Sequence, residues 1–515
     1  MTGFVITGSL VLSGEYVHPI WIEKCVIYEI KAGGSVFNEN FQFHQTKVKS
    51  NVDFSHAHFK QSVDWVNVDF EGRTSFAGTQ FEGSAEFTDA DFIDEVVFNE
   101  AQFEGNCVME EVGFEQAEFR NVKFLSKANF RHSVFNGFAD FTRTQFEQQA
   151  IFESATFTRG ADFASAVFKD KAAFEDAIFN RNSFFNEAEF HKTADFDKSE
   201  FAQHADFRRA IFRGPIEFRY ANVKSGAHFN YTELNDRCDF GHSTFGLFNC
   251  VHAIVSGFFN FPNVNIAGSI NFDRSHFKTD ANFSGTRIAE KTDCSKARFN
   301  QANFTGVEFG REVDFSDAMF EKKAGFQQAK FVKGPVCLDA VFTNGADIKW
   351  GQIKKKLGNS INNSHSKAQE EYGELVKIFR GNSDYASMDK AWEMFRHHEN
   401  MADEDTLRGF KELNRVFLKW GTGYGTKPEN VLLGALGVIV LFAYIYSFFS
   451  QQFEQPLVGW DSYLYFSLTT FIAAGVEGIN PVFEGWLKIL VVLEAFMGFL
   501  LMTLFTVMLA RKLTR

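Results

Sequence analysis

Residues 161–190 read ADFASAVFKDKAAFEDAIFNRNSFFNEAEF, and the spacing in this stretch decides the fold of the longest part of the chain. Phe stands at Phe163, Phe168, Phe174, Phe179, Phe185 and Phe190, so the steps alternate between five and six and the true unit is eleven residues. Two residues before most of them sits a small side chain: Ala161, Ala166, Ala172, Ala177 and Ala188. In extended backbone, residues two apart face the same side. Ala and Phe therefore point inward together, while the residue between them, such as Asp162 or Glu189, points out. A helix needs a 3.6 period, and neither step keeps one helical face for long. The stretch predicts very short Ala-x-Phe strands, with the residues after Phe turning a corner.

The same beat runs from Phe146 to Phe218, returns at Phe272, Phe277, Phe283, Ile288, Cys294 and Phe299, and again at Phe315, Phe320, Phe326 and Phe331. Between Cys250 and Ile266 it weakens (Val255, Phe258, Phe259, Phe261), and a kink or loop is expected there. Four sides of this kind close a coil of about 22 residues, and successive coils hydrogen-bond at roughly 4.8 Å. Residues 36–350 then predict about 14 coils and a rod about 65–70 Å long. A single coil cannot bury its own face, so stability must come from stacking. The β-rich segment Val26-Ile27-Tyr28-Glu29-Ile30 places a cap over the open end in residues 1–35. The count of 67 Phe against 7 Pro is that of a repeat protein. The pattern resembles the pentapeptide-repeat family, in the subgroup whose five-residue beat is lengthened to eleven per two sides. That resemblance implies a right-handed quadrilateral β-helix and says little about function, because the Phe and Ala are structural.

Composition narrows the function classes. The net charge of −13 argues against a binder of phosphate backbones, so no nucleic-acid partner is expected, and it fits a solvated solenoid surface. The six Cys are scattered with no CxxC and no zinc-like spacing; Cys294 and Cys337 occupy Phe positions and read as small core residues, which suits a reducing compartment. Met1 to Leu12 has no basic n-region, so no signal peptide is expected. No nucleophile–base set, phosphate loop or metal motif is present, so an enzyme is not expected, nor a cofactor, nor a metal beyond permeant cations. His397-His398-Glu399 are neighbours that diverge on a helix and read as a solvated or packed face.

The Phe beat stops near Trp350. Residues 351–430 read as a helical linker: one apolar face carries Tyr372, Leu375, Val376 and Phe379 and stops at Gly381-Asn382. Ser383 or Asp384 caps a second helix with Met388, Trp392 and Phe395, and a third run holds Leu407, Phe410, Leu413, Phe417 and Leu418. Residues 431–515 read as a membrane part. Residues 431–449 form an uncharged apolar run long enough to span, and 487–510 a second, with Lys488 at its edge and Glu494 inside. Lys411, Arg415, Lys419 and Lys427 precede the first span, Arg511, Lys512 and Arg515 follow the second, and Ser450 to Gly485 has no Lys or Arg. The positive-inside rule puts both termini in the cytoplasm. Thr422-Gly423-Tyr424-Gly425, which spells a fragment of a potassium filter, precedes the first span and reads as a turn.

Residues 460–481 are too apolar for a simple loop and suit a short re-entrant helix (Ser462 to Phe471) with a Gly-containing return. Tyr465 to Pro481, YFSLTTFIAAGVEGINP, resembles the two-transmembrane potassium-channel pore family, in which a sequence like YFSLVTxTTVGYGDIxP precedes the inner helix. With the repeat and the ending Leu509-Ala510-Arg511-Lys512, the whole architecture resembles pentapeptide-repeat ion channels of bacteria. That resemblance implies a multi-pass protein of the bacterial inner membrane and a homotetramer, since one chain supplies two spans and one loop.

In the implied filter, Ala473 replaces the base threonine, Ala474 and Gly475 follow, Val476 replaces Tyr, and Glu477 replaces the second Gly. If Val476 and Glu477 together replace one Tyr, Gly478 is the second Gly and selectivity is open again. A fourfold ring of Glu477 would select cations, favour Na⁺ or Ca²⁺ over K⁺ and be blocked by protons at mildly acidic pH; otherwise Glu477 turns from the axis and braces the loop. Thr469 and Thr470 close the pore helix, whose C-terminal dipole favours a cation in the cavity. Glu494 reads as a buried brace bonded to that helix, and Gly498 as a gating hinge. The function so predicted is a cation channel, not potassium-selective, gated through the rod by an unidentified cytoplasmic ligand or protein. The alternatives are a non-conducting membrane-anchored scaffold and a DNA-mimic repeat protein.

Overall fold

The computed structural model describes residues 1–353, 357, 364–402, 415–453, 456–473 and 485–514. They form two compact units, Met1–Gly358 and Asn359–Arg515.

The first unit is a β-solenoid of about 16 turns. One coil shows its construction. Ala161–Asp162, Val167–Phe168, Ala172–Ala173 and Ile178–Phe179 are four two-residue strands, one per side. Each pairs in parallel with the residue 22 positions on, as in Ala161↔Ser183, Val167↔Glu189, Ala172↔Ala194 and Ile178↔Glu200. The rings of Phe163 and Phe185 stack at 5.0 Å and 5°, those of Phe157 and Phe179 at 4.7 Å. Neighbouring columns meet edge to face, as for Phe152 and Phe163 at 5.3 Å and 80°. Both geometries are those aromatic quadrupoles prefer.

Alternate corners are tight turns in which Ala166 N donates to Phe163 O at 3.0 Å and Ser165 takes a left-handed φ of 56°. The same conformation recurs every eleven residues at Ser154, Asp176, Glu187, Lys198 and Arg209. This backbone disfavours a Cβ. It is held because the turn amide also bonds the next coil, as Ser165 N does to Asn186 O at 3.0 Å. The alternation of five and six is thus the alternation of two corner types.

Three details differ from the sequence reading. Residues 1–35 are not a separate cap: Val5–Val11 pairs in parallel with Val26–Lys31, Glu15–Tyr16 with Val36–Phe37 and Ile20–Glu23 with Phe41–His44. They are the first coil and a half, which lengthens the rod to about 77 Å at the usual strand spacing. The covered end is the other one. There Trp350–Ile353 forms a short turn, Gln352 Nε2 donates to Phe326 O and Ala329 O at 2.5 and 3.0 Å, and Ile353 is buried. Between Cys250 and Ile266 there is neither kink nor loop. Leu234↔Val255, Cys238↔Phe259 and Phe245↔Ile266 keep the ladder with an offset of 21, so one residue is dropped at a corner and Phe258 turns outward.

All six Cys are buried as thiols. Burial pushes the thiols of Cys107, Cys238, Cys250 and Cys294 up, which keeps them protonated and unreactive.

In the second unit, α1 (His365–Gly381) and α2 (Tyr385–Ala402) pack together, with Tyr372, Leu375 and Phe379 buried. Asp384 caps α2, accepting from Ser387 N at 3.1 Å. His398 packs rather than presenting a ligand set: its ring stacks on Tyr372 and its Nδ1 lies 3.0 Å from His365 Nδ1. Leu407, Phe410 and Leu413 lie outside the described residues, and Leu418 sits in a π-helical turn, Arg415–Gly421. Thr422 to Gly425 is a turn, with Tyr424 N donating to Leu418 O at 2.7 Å. Three further α-helices follow among the described residues, α3 (Pro428–Ser447), α4 (Trp460–Phe471) and α5 (Trp486–Leu513). By length and composition α3 and α5 are able to cross a membrane. At 1.5 Å per residue they run about 30 and 42 Å. Both leave large apolar side chains exposed, among them Leu433, Leu436 and Val440 on α3 and Val492, Phe496 and Phe499 on α5.

Candidate functional site

The site is built around α4. Its 12 residues reach about 18 Å, too short to span a bilayer. Phe466 anchors it, meeting Tyr446 of α3 edge-on at 5.1 Å and Phe453 at 4.9 Å, with Leu487 of α5 in the same cluster. Lower down, Phe471 packs against Ala435 and Ile439 of α3.

A polar knot ties the three helices. Glu494 of α5 is fully buried; its Oε2 accepts from Tyr446 OH at 2.6 Å and its Oε1 bonds Ser467 Oγ of α4. Ser467 Oγ also lies 2.8 Å from Ile439 O, so one hydroxyl faces two oxygens. A buried carboxyl is retained only with such partners. Glu494→Gln keeps an acceptor for Tyr446 and offers Ser467 a proton, so its cost is expected to stay within about 1 kcal/mol. Glu494→Leu strands two buried hydroxyls and is expected to cost about 2–4 kcal/mol, read as thermal unfolding of the purified full chain.

One turn further along α5, Gly498 meets the end of α4. A Cβ on Gly498 would lie 1.9 Å from Phe471 O, which is main chain and cannot rotate away. The helix runs unbroken through this position, so in this conformation the glycine serves a close approach. The α4 chain then leaves the helix through Ala473, whose φ is 54°. A cavity of about 180 Å³ opens here, lined by Phe471, Ile472, Ala473, Gly498, Phe499 and Met502. The C-terminal carbonyls of a helix carry partial negative charge, so this end favours cations.

Of the residues singled out from sequence, Ala473 and Gly498 thus share one cavity and Glu494 bonds α4. Thr469 turns its hydroxyl back on Tyr465 O and Phe466 O, both at 2.9 Å, and Thr470 is buried. Ala474, Gly475, Val476, Glu477 and Gly478 lie outside the described residues. Sequence reasoning missed Tyr446 and Ser467. The signal available was a hydroxyl in each of two apolar helices facing a third that carries an acid, but partner choice needs the packing. Among the described residues one carboxylate group has a spacing that could hold a metal, Asp195, Asp197 and Glu217 on the solenoid. Lys171 pairs with Asp195 at 2.9 Å and Arg219 with Asp197 at 2.5 Å, so these acids are already matched by cations.

Comparison with protein families bears on the rod. The family model described as pentapeptide repeats (9 copies) matches four overlapping or separate stretches, residues 43–90, 66–113, 119–167 and 261–308. The rod is a pentapeptide-repeat solenoid. No curated protein matches the chain. The pentapeptide-repeat coils extend on both sides of the matched residues, because the ladder continues unbroken from Val5 to Asp347.

Proposed function

We propose that the chain is one subunit of a homotetrameric cation channel that is not potassium-selective, with the pentapeptide-repeat solenoid as the part that receives its stimulus. The observation that carries this reading is α4, a helix too short to cross a membrane, held between two that are long enough. Its C-terminal end opens on a cavity beside Gly498, and a buried acid holds it to both neighbours. A two-span scaffold needs no such element; a pore loop does. The apolar faces left exposed on α3 and α5 suit contact with lipid and with copies of the chain. The resemblance of Tyr465 to Pro481 to a potassium-channel pore loop, with Glu477 in place of the second Gly, supplies the expectation for the ion.

The test is single-channel recording of the purified chain in planar bilayers with K⁺, Na⁺ and Ca²⁺ on opposite sides, beside Glu477→Gln. Cation current is expected, with its preference for Na⁺ or Ca²⁺ over K⁺ falling about fivefold or more in the variant, the weight of roughly 1 kcal/mol of lost field. A potassium-selective current removes the selectivity assignment and keeps the channel. Chloride current overturns the cation channel. Silence from protein shown to be inserted and tetrameric leaves a missing stimulus or a membrane-anchored scaffold, which identifying what binds the solenoid then separates.

A further inference from the structure

Two histidines meet on one outer face of the solenoid. The ladder pairs His204↔Gly226, Asp206↔His228 and His228↔Asn249 across three successive coils. Ala205 and Ala227, between them, are buried, so strand alternation puts His204 and His228 on the outside. The two stand diagonally on neighbouring coils, yet His204 Nδ1 and His228 Nε2 lie 3.1 Å apart. Gly226, paired with His204, adds no side chain beside them. A Cβ there would lie 2.6 Å from the Leu247 side chain and 3.4 Å from His204 Nδ1.

This is the geometry of a chelate. Zinc takes imidazole nitrogens at about 2.0–2.1 Å in a tetrahedral arrangement, which sets two of them about 3.3 Å apart. The pair reaches that spacing by opening about 0.2 Å. The way His228 is held points the same way. Its other ring nitrogen, Nδ1, lies 3.3 Å from the Asn249 amide, a contact of the kind that orients metal-binding imidazoles. Partial burial, and then the neighbouring His204 ring, hold the His228 imidazole below its ordinary value. It is therefore neutral at pH 7, the form that binds a metal. The charges nearest to it cancel, because Arg208 bonds both carboxylate oxygens of Asp206, at 2.9 and 2.6 Å.

We infer that His204 Nδ1 and His228 Nε2 together bind a divalent transition-metal ion of the zinc or copper type, with water at its remaining positions, and so clamp two successive coils. Imidazole suits these ions, whereas magnesium and calcium take oxygen ligands. In the helical unit His365 and His398 also face one another, but His398 is buried against Tyr372, whereas His204 is open to solvent. The site does not depend on the channel reading.

The test titrates Zn²⁺ by calorimetry into the full chain, purified without a histidine tag, and follows melting of the β transition beside it. Zn²⁺ is expected to bind and to raise that melting temperature, since an ion held between two coils binds only the folded rod. His204→Gln and His228→Gln are each expected to weaken binding about tenfold or more and to remove the rise. The double variant is expected to lose nothing further, because the two rings act as one chelate. Cu²⁺ loaded on the wild type is expected to show two coordinated imidazole nitrogens by electron paramagnetic resonance, and one in either variant. His252→Asn removes a different solenoid imidazole, at a left-handed corner that Asn tolerates, and is expected to change neither readout. An absence of zinc binding overturns the site. So do losses in the two single variants that add in the double, or an equal loss in His252→Asn, either of which would mean independent surface histidines. A response to Mg²⁺ or Ca²⁺ equal to that to Zn²⁺ would place the ion on carboxylates and overturn it as well.

Discussion

Gly498→Ala is expected to disrupt the packing of the helical unit while leaving the solenoid folded. Two effects compete. In a helix interior Ala is favoured over Gly by about 1 kcal/mol. Against it, the added methyl would sit 1.9 Å from Phe471 O and 2.8 Å from Phe471 C. Both atoms are main chain, so relief requires moving α4 away from α5 and with it the bond between Ser467 and Glu494. Overpacking of this kind costs about 1–3 kcal/mol or more, and the clash outweighs propensity. Thermal unfolding of the purified chain checks it: the helical transition should fall by several degrees with the β transition unmoved, the two being separate compact units. A purely hinge-like role predicts the reverse, an unchanged melting temperature with altered opening. Wild-type melting in Gly498→Ala would remove the close-approach account.

Phe174→Ala is expected to cost about 3–5 kcal/mol, the range for emptying a large buried site. Phe174 is fully buried; it stacks on Phe152 and Phe196, both at 4.9 Å, and meets Phe163 and Phe185 edge-on at 5.4 and 5.5 Å. One truncation therefore breaks its own column and opens a gap beside the neighbouring one, to which both Phe163 and Phe185 belong. In a solenoid each coil touches only its neighbours, so the damage should be local. Amide exchange is expected to rise first in the coils spanning residues 152–196, with coils near the ends still protected. Phe258→Ala, at a ring 42% exposed, is expected to change stability by less than about 1 kcal/mol. Equal losses at the two positions would mean that column stacking does not hold the rod.

The solenoid was legible because its information is periodic. An eleven-residue unit with Ala and Phe two apart assigns each residue to the inside or the outside, and stacking follows without knowledge of distant contacts. The same reasoning failed where the period was silent. Residues 1–35 lack the Phe beat, yet Ile22, Ile27 and Ile30 fill the inward positions, because the interior accepts any apolar group that fits. At Phe258-Phe259 two consecutive Phe hid a coil shortened by one residue, and pairing with Cys238 decided which of them points inward.

In the helical unit, length and apolarity marked α3 and α5, and a Gly and an acid inside an apolar run marked Gly498 and Glu494 as unusual. Their partners were not readable, since Tyr446, Ser467 and Phe471 lie 48, 27 and 27 positions away along the chain. The sequence by itself thus determined the coil, its inward faces and the two long apolar helices, all properties of local spacing. Only the tertiary structure decided which end of the solenoid is covered, which hydroxyls hold the buried acid, and why position 498 carries no side chain. Each of these depends on a meeting between segments remote in the chain, set by packing distances that no one-dimensional pattern contains.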